Sequence, residues 1–138
     1  MNRLQFQELT KLRQREAYAL LSNRLYSGAY YLMGYAIECS LKACIAKQTK
    51  RHDFPDKNET IQSYTHNLQQ LIGLSSLSVA LKKATESNRE LQNNWLVVKD
   101  WKEDSRYRLT ITALEAKDLY KACTSRKNGI LPWIKKQW

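Results

Sequence analysis

The run from Tyr26 to Lys47, YSGAYYLMGYAIECSLKACIAK, constrains the fold more than any other part of this sequence. It contains no proline, it is dominated by apolar and aromatic residues, and it is long enough for about six helical turns. A membrane span would need about 20 largely uncharged residues, yet Glu38 and Lys42 stand near the centre of this one. The pattern therefore predicts a helix over Leu25 to Lys47 that is mostly buried at the centre of a bundle. Gly28, Ala29, Gly34, Ala36, Ser40 and Ala43 place small residues on it, where a neighbouring backbone can approach closely. A glycine inside a helix costs about 1 kcal/mol relative to alanine, so close packing at Gly34 is expected to offset that cost.

The rest of the chain reads as helix too. It has 138 residues with 4 Gly and 2 Pro, and 43% of it is hydrophobic. That composition supports a real core and excludes a disordered chain. It also excludes a many-stranded sandwich or barrel, which needs turn signals every 8–12 residues or so. Gln5 to Asn23 has Leu9, Leu12, Ala17, Leu20 and Leu21 near helical spacing, with Lys and Arg between them. Lys50 to Ser63 is polar, contains Pro55 and lacks a helical apolar pattern, so it is expected to be a long loop. Thr65 is the expected N-cap of a short helix ending at Gly73, and Ser75 or Ser76 the start of another, with Leu77, Leu81 and Ala84. Helicity then resumes or continues through Leu91, Trp95 and Val98 to Trp101. After a charged connector, KEDSRYRL, Thr110 or Thr112 opens the last long helix, which Asn128-Gly129 stops. Pro132 can seat the first turn of a short C-terminal helix. The expected fold is all-α: one domain, 1–138, built as an up-and-down bundle of four to five main helices plus that short C-terminal one.

Net charge is +10, from 23 Lys and Arg against 13 Asp and Glu. Such an excess points to an anionic partner such as nucleic acid, a nucleotide or an acidic protein, or else to a soluble basic surface without a dedicated ligand. The three cysteines, Cys39, Cys44 and Cys123, form no Cys-x-x-Cys pair, and nothing at the N-terminus resembles a signal peptide. They are expected to be reduced core residues of a cytoplasmic protein. Neither histidine lies at a ligand-like spacing from them, so no metal and no cofactor are expected.

Four blocks carry a family resemblance: GAYYLMGYAIECSLKACI, YTHNL, NWLVVKDWKEDSRY and NGILPWIKKQW. Together, in order and over nearly the whole chain, they resemble a bacterial or archaeal HEPN (higher eukaryote and prokaryote nucleotide-binding) domain. The resemblance implies an all-α bundle that pairs as a homodimer. It also implies a setting of RNA cleavage, toxin–antitoxin pairs or phage defence, often beside a minimal nucleotidyltransferase partner.

Many members of that family are metal-independent ribonucleases whose signature is an Arg followed, after four to six residues, by a His. Imidazole can exchange a proton with a ribose hydroxyl near neutral pH while guanidinium steadies phosphate charge. Counting back from His52 meets Lys47, Ala46 and Ile45, and from His66 meets Ile61, Thr60 and Glu59. No Arg falls in either window, and the nearest substitute, Lys47, lacks guanidinium's planar fork. The expectation is a module without catalysis of its own.

The remaining polar residues define the candidate site. Glu38 and Lys42 share a helix face with Tyr31 and Tyr35, either as an internal salt bridge or as the floor of a polar cleft. His66 opens a helix, bonded locally to backbone or a carboxylate, or else serves a nucleotide pocket; His52 reads as an exposed loop residue. Arg106 and Tyr107 can hold a phosphate and stack on a base, or Arg106 can pair with Glu38 and close the bundle. If the chain were a ribonuclease with a non-standard site, His66, Arg106 and Tyr107 would be its catalytic candidates. Trp95, Trp101, Trp133 and Trp138 are expected in the core or a dimer interface. The main functional expectation is a dimeric binding module for RNA, a nucleotide or a partner protein. The alternatives are that ribonuclease and a structural partner of a nucleotidyltransferase, with no membrane association.

Overall fold

An asparagine starts the first helix. The computed structural model describes residues 1–51 and 57–138, and Asn2 forms a capping box with Gln5, each side chain meeting the other's backbone N–H at 2.9 Å. Helix α1 (Arg3–Ser22) runs into α2 (Tyr26–Arg51) through a turn of three residues, so the two lie as an antiparallel hairpin. Then follow α3 (Lys57–Gln62), α4 (Leu68–Leu74), α5 (Ser78–Glu86) and α6 (Arg89–Val98). A 3-10 helix (Glu103–Tyr107) precedes α7 (Ala113–Thr124) and α8 (Ile130–Lys135). Among the described residues there is no strand, so the fold is the expected all-α bundle. None of the described helices is long and apolar enough to cross a membrane.

Helix α2 is the axis of the bundle. It packs against α1, α4, α7, α8 and the 3-10 helix, and Met33, Ala36, Ile37, Leu41 and Cys44 sink into the main apolar cluster. Its small residues act as expected: Ala29, Ala36, Ser40 and Ala43 are all buried. Gly34 carries the largest consequence. A Cβ built there would lie 2.1–2.2 Å from three atoms of the Trp101 indole, so the ring rests directly on the α2 backbone. Trp101 is itself fully buried, and the other three tryptophans pack against the same cluster. The three cysteines are free and buried.

Several boundaries differ from the sequence expectation, each for a local reason. The expected loop from Lys50 to Ser63 is partly helical, because α2 runs on to Arg51 and α3 occupies Lys57–Gln62. The last residues of α3 gave no apolar pattern because Thr60, Ile61 and Gln62 are all exposed, Ile61 at 58%. His52 and Pro55 lie outside the described residues. The N-cap of α4 is Asn67 rather than Thr65, whose hydroxyl instead accepts from the Asn67 N–H and donates to Gln70. Helix α4 passes through Gly73 and ends in a Schellman turn, with Ser76 N–H donating to Gly73 O and Leu77 N–H to Ile72 O. Ser75 and Ser76 therefore close α4, and α5 begins at Ser78. Asn88 caps a separate helix α6, which stops at Val98, before Trp101. Thr112, one of the two expected openers, caps α7; Ile111 just before the helix is buried, and Leu114 in its first turn is 68% exposed. Helix α7 stops at Thr124, and Asn128-Gly129 precedes α8. There the Asn128 amide is fixed to α6 by Asn88 (2.8 Å) and Glu90 (2.7 Å), while Asn94 donates to its carbonyl at 2.8 Å.

The α1 turn is a second Schellman motif, with Leu25 N–H donating to Leu20 O and Arg24 N–H to Leu21 O. Its left-handed residue is Arg24 at φ 60°, and that of the α4 turn is Ser76 at φ 58°. Side chains are strained in that region while glycine is not. Arg24→Gly and Ser76→Gly should each raise stability by about 0.5–1 kcal/mol in urea titrations followed by circular dichroism. By contrast, Gly34→Ala should cost about 3 kcal/mol in the same assay, although alanine is the better helix former.

Candidate functional site

Burial of Glu38 organises the site. It lies at the middle of α2 and is 1% exposed, so its charge must be compensated inside the fold. Lys42, one turn later, donates to Glu38 Oε1 at 2.8 Å. His66, just before α4, donates from Nδ1–H to the same oxygen at 2.9 Å. The other imidazole nitrogen, Nε2, faces Glu103 Oε2 at 3.4 Å. Glu103 then receives Arg106 at 2.7 Å, and Arg106 donates to the Tyr107 hydroxyl at 2.9 Å with its guanidinium 4.8 Å from that ring.

All five sequence candidates, Glu38, Lys42, His66, Arg106 and Tyr107, thus belong to one chain of contacts running from the core to the surface. The expected pairing of Arg106 with Glu38 does not form. Arg106 meets Glu103 on its own 3-10 helix, and His66 takes the place beside Glu38. Glu103 is the link the sequence reading missed. Its signal was present in KEDSRY, where the acid and Arg106 stand three apart, the spacing of neighbours on one helix face.

His66 is 44% exposed at a side-chain level and stands on the wall of an open cleft of about 460 Å³, with Thr65, Leu68, Trp101, Lys102 and Glu103. Cations and carboxylates alternate around the opening, since Lys99 and Asp100 lie beside Lys102 and Asp104. Beneath, three buried polar atoms have no hydrogen-bond partner among the described residues: Glu38 Oε2, an acceptor; Trp101 Nε1–H, a donor; and Ser105 Oγ, which can be either.

No thiol adds a nucleophile to this region. Cys39, next to Glu38, is pushed up to about 12 by burial and then by the neighbouring carboxylate, and burial pushes Cys44 up to about 11. Thiolate, the reactive form, is therefore scarce at neutral pH. Among the described residues, no group of three or more His, Cys, Asp or Glu is placed to hold a metal ion. What the arrangement offers is an oriented imidazole, an anchored guanidinium and an exposed phenol ring.

Because Glu38 Oε1 faces both Lys42 and His66, Glu38→Ala should leave the Lys42 ammonium without its partner and the His66 ring without its acceptor, and cost about 3 kcal/mol in urea unfolding. Lys11→Ala, which removes an exposed pair with Glu8, should leave the unfolding midpoint unchanged. Comparison with family models, with curated proteins and with solved structures returns no match to this chain.

Proposed function

We propose that the chain is a HEPN-type helical module that binds RNA or a nucleotide, acts as a cytoplasmic homodimer in a toxin–antitoxin or phage-defence setting, and performs no catalysis of its own. The family part of this reading rests on the four sequence blocks, and the all-α bundle agrees with it. The observation that carries the non-catalytic part is the engagement of His66. Both of its ring nitrogens face carboxylates, Glu38 at 2.9 Å and Glu103 at 3.4 Å, while Arg106 is held by Glu103 and Tyr107. A general base needs a free nitrogen within reach of the proton it takes. The net charge of +10 supports an anionic ligand.

A second reading, a metal-independent ribonuclease with a non-standard site, has one observation in its favour. A buried carboxylate that fixes Nδ1–H leaves Nε2 as the working nitrogen, as in hydrolytic triads, and the contact from Nε2 to Glu103 is long enough to yield. Labelled RNA incubated with the purified protein in EDTA separates the two readings. Under the first, RNA is bound but stays intact, and affinity falls steeply between low and physiological salt. Cleavage that His66→Ala abolishes would establish the second instead, and absent or salt-insensitive binding would remove RNA as the ligand.

A further inference from the structure

We propose that the face shared by α1, α2 and the 3-10 helix is a track for single-stranded RNA, read by stacking and by phosphate contacts without base-specific recognition. The proposal rests on the RNA-binding reading above and adds the strand state of the ligand and the place it occupies.

Tyr31 and Tyr35 stand one turn apart on α2, their rings 6.1 Å apart and inclined at 24°. Trp101 continues the stack beyond Tyr31, at 6.2 Å and 26°. A guanidinium stands at the Tyr35 end of this row, and a second lies on the neighbouring 3-10 helix. Arg13 of α1 lies 5.9 Å from the Tyr35 ring centre. Arg106 covers Tyr107, 4.8 Å from its ring centre, on the 3-10 helix that packs against α2. Three segments distant in sequence thus bring cations and aromatic rings alternately onto one face.

Core packing explains Trp101 and, in part, Tyr31 and Tyr35, which lie half-buried against the main apolar cluster, but not Tyr107. Tyr107 leaves 72% of its surface in water, which contributes nothing to folding. Each arginine is also aimed in advance. Glu16 holds one nitrogen of Arg13 at 2.8 and 2.7 Å, and Glu103 holds one of Arg106 at 2.7 Å. A guanidinium has five N–H donors, and although Arg106 also gives one to the Tyr107 hydroxyl, the donors left over can meet phosphate oxygens. Aromatic faces stack on any base, provided that it is unpaired; in a duplex the bases are stacked on each other and out of reach.

Fluorescence anisotropy with labelled oligo-uridine and oligo-adenosine of about 12 nucleotides, and with an RNA duplex of equal length, tests the track. Both single strands should bind about tenfold or more tightly than the duplex. Tyr107→Ala and Arg13→Gln should each weaken single-strand binding about tenfold, with helical content and unfolding midpoint unchanged. Arg13→Gln should also lower the salt slope by about 0.7. Tyr107→Phe should bind like the wild type, because the ring does the stacking, and Lys82→Ala on α5 should have little effect. Equal affinity for duplex, or full affinity in both Tyr107→Ala and Arg13→Gln, would overturn the track and leave RNA binding in place. If the wild type bound no RNA of any kind, the broader reading would fall and the track with it.

Discussion

A carboxylate taken out of water must be answered by positive charge, and the placement of Glu38 makes that demand at the centre of the longest helix. The desolvation penalty for an unanswered ion in such a position is several kcal/mol, a large part of a small domain's stability. Lys42 answers with its ammonium from the same helix, and His66 adds a hydrogen bond from a segment 28 residues away. The second answer fixes where α4 begins relative to α2, and the contact of His66 with Glu103 carries the constraint on to the 3-10 helix. The position of Trp101 follows from both sides: its indole lies flat on Gly34, and the segment that carries it is tied down through Glu103.

This dependence explains why one patch of the molecule is rich in polar contacts while the opposite side is ordinary. Around α5, α6 and α8 the helices meet through apolar packing, with the amides of Asn88, Asn94 and Asn128 locking the last turn. Glu90 of α6 joins them by accepting from the Asn128 amide. On the α2 side, one buried ion has drawn in a lysine, a histidine, a second acid and an arginine in succession. Such a relay can be wholly structural, since each member compensates its neighbour. It also leaves its outermost members, Arg106 and Tyr107, ordered and in solvent, which is the condition a binding surface needs.

Much of this was legible in the sequence, for stated physical reasons. The helical class followed from the scarcity of Gly and Pro, and the central role of α2 from an apolar run too charged for a bilayer. Gly34 was readable because a mid-helix glycine requires compensation, although its partner, Trp101, was not. Pairwise contacts across 28 residues or more have no local signature, so the sequence offered Arg106 to Glu38 and a carboxylate to His66 without joining His66 to Glu38. Boundaries failed where side chains competed for backbone groups, as Thr65 and Asn67 do before α4. They failed again where a left-handed turn used Ser76 in place of the glycine that usually marks it. Glu103 was overlooked because an exposed connector gives no apolar period to read.

The contacts that build the polar relay join parts of the chain far apart in order, whereas α1 and α2 meet through a turn of three residues. Hairpin contacts close small loops and form early; contacts across long separations must first overcome the entropy of closure. The relay is therefore expected among the last features to assemble and among the first to open in partial unfolding. A surface built on it exists only while the bundle is intact, so any ligand that grips Arg106 and Tyr107 would also favour the folded state.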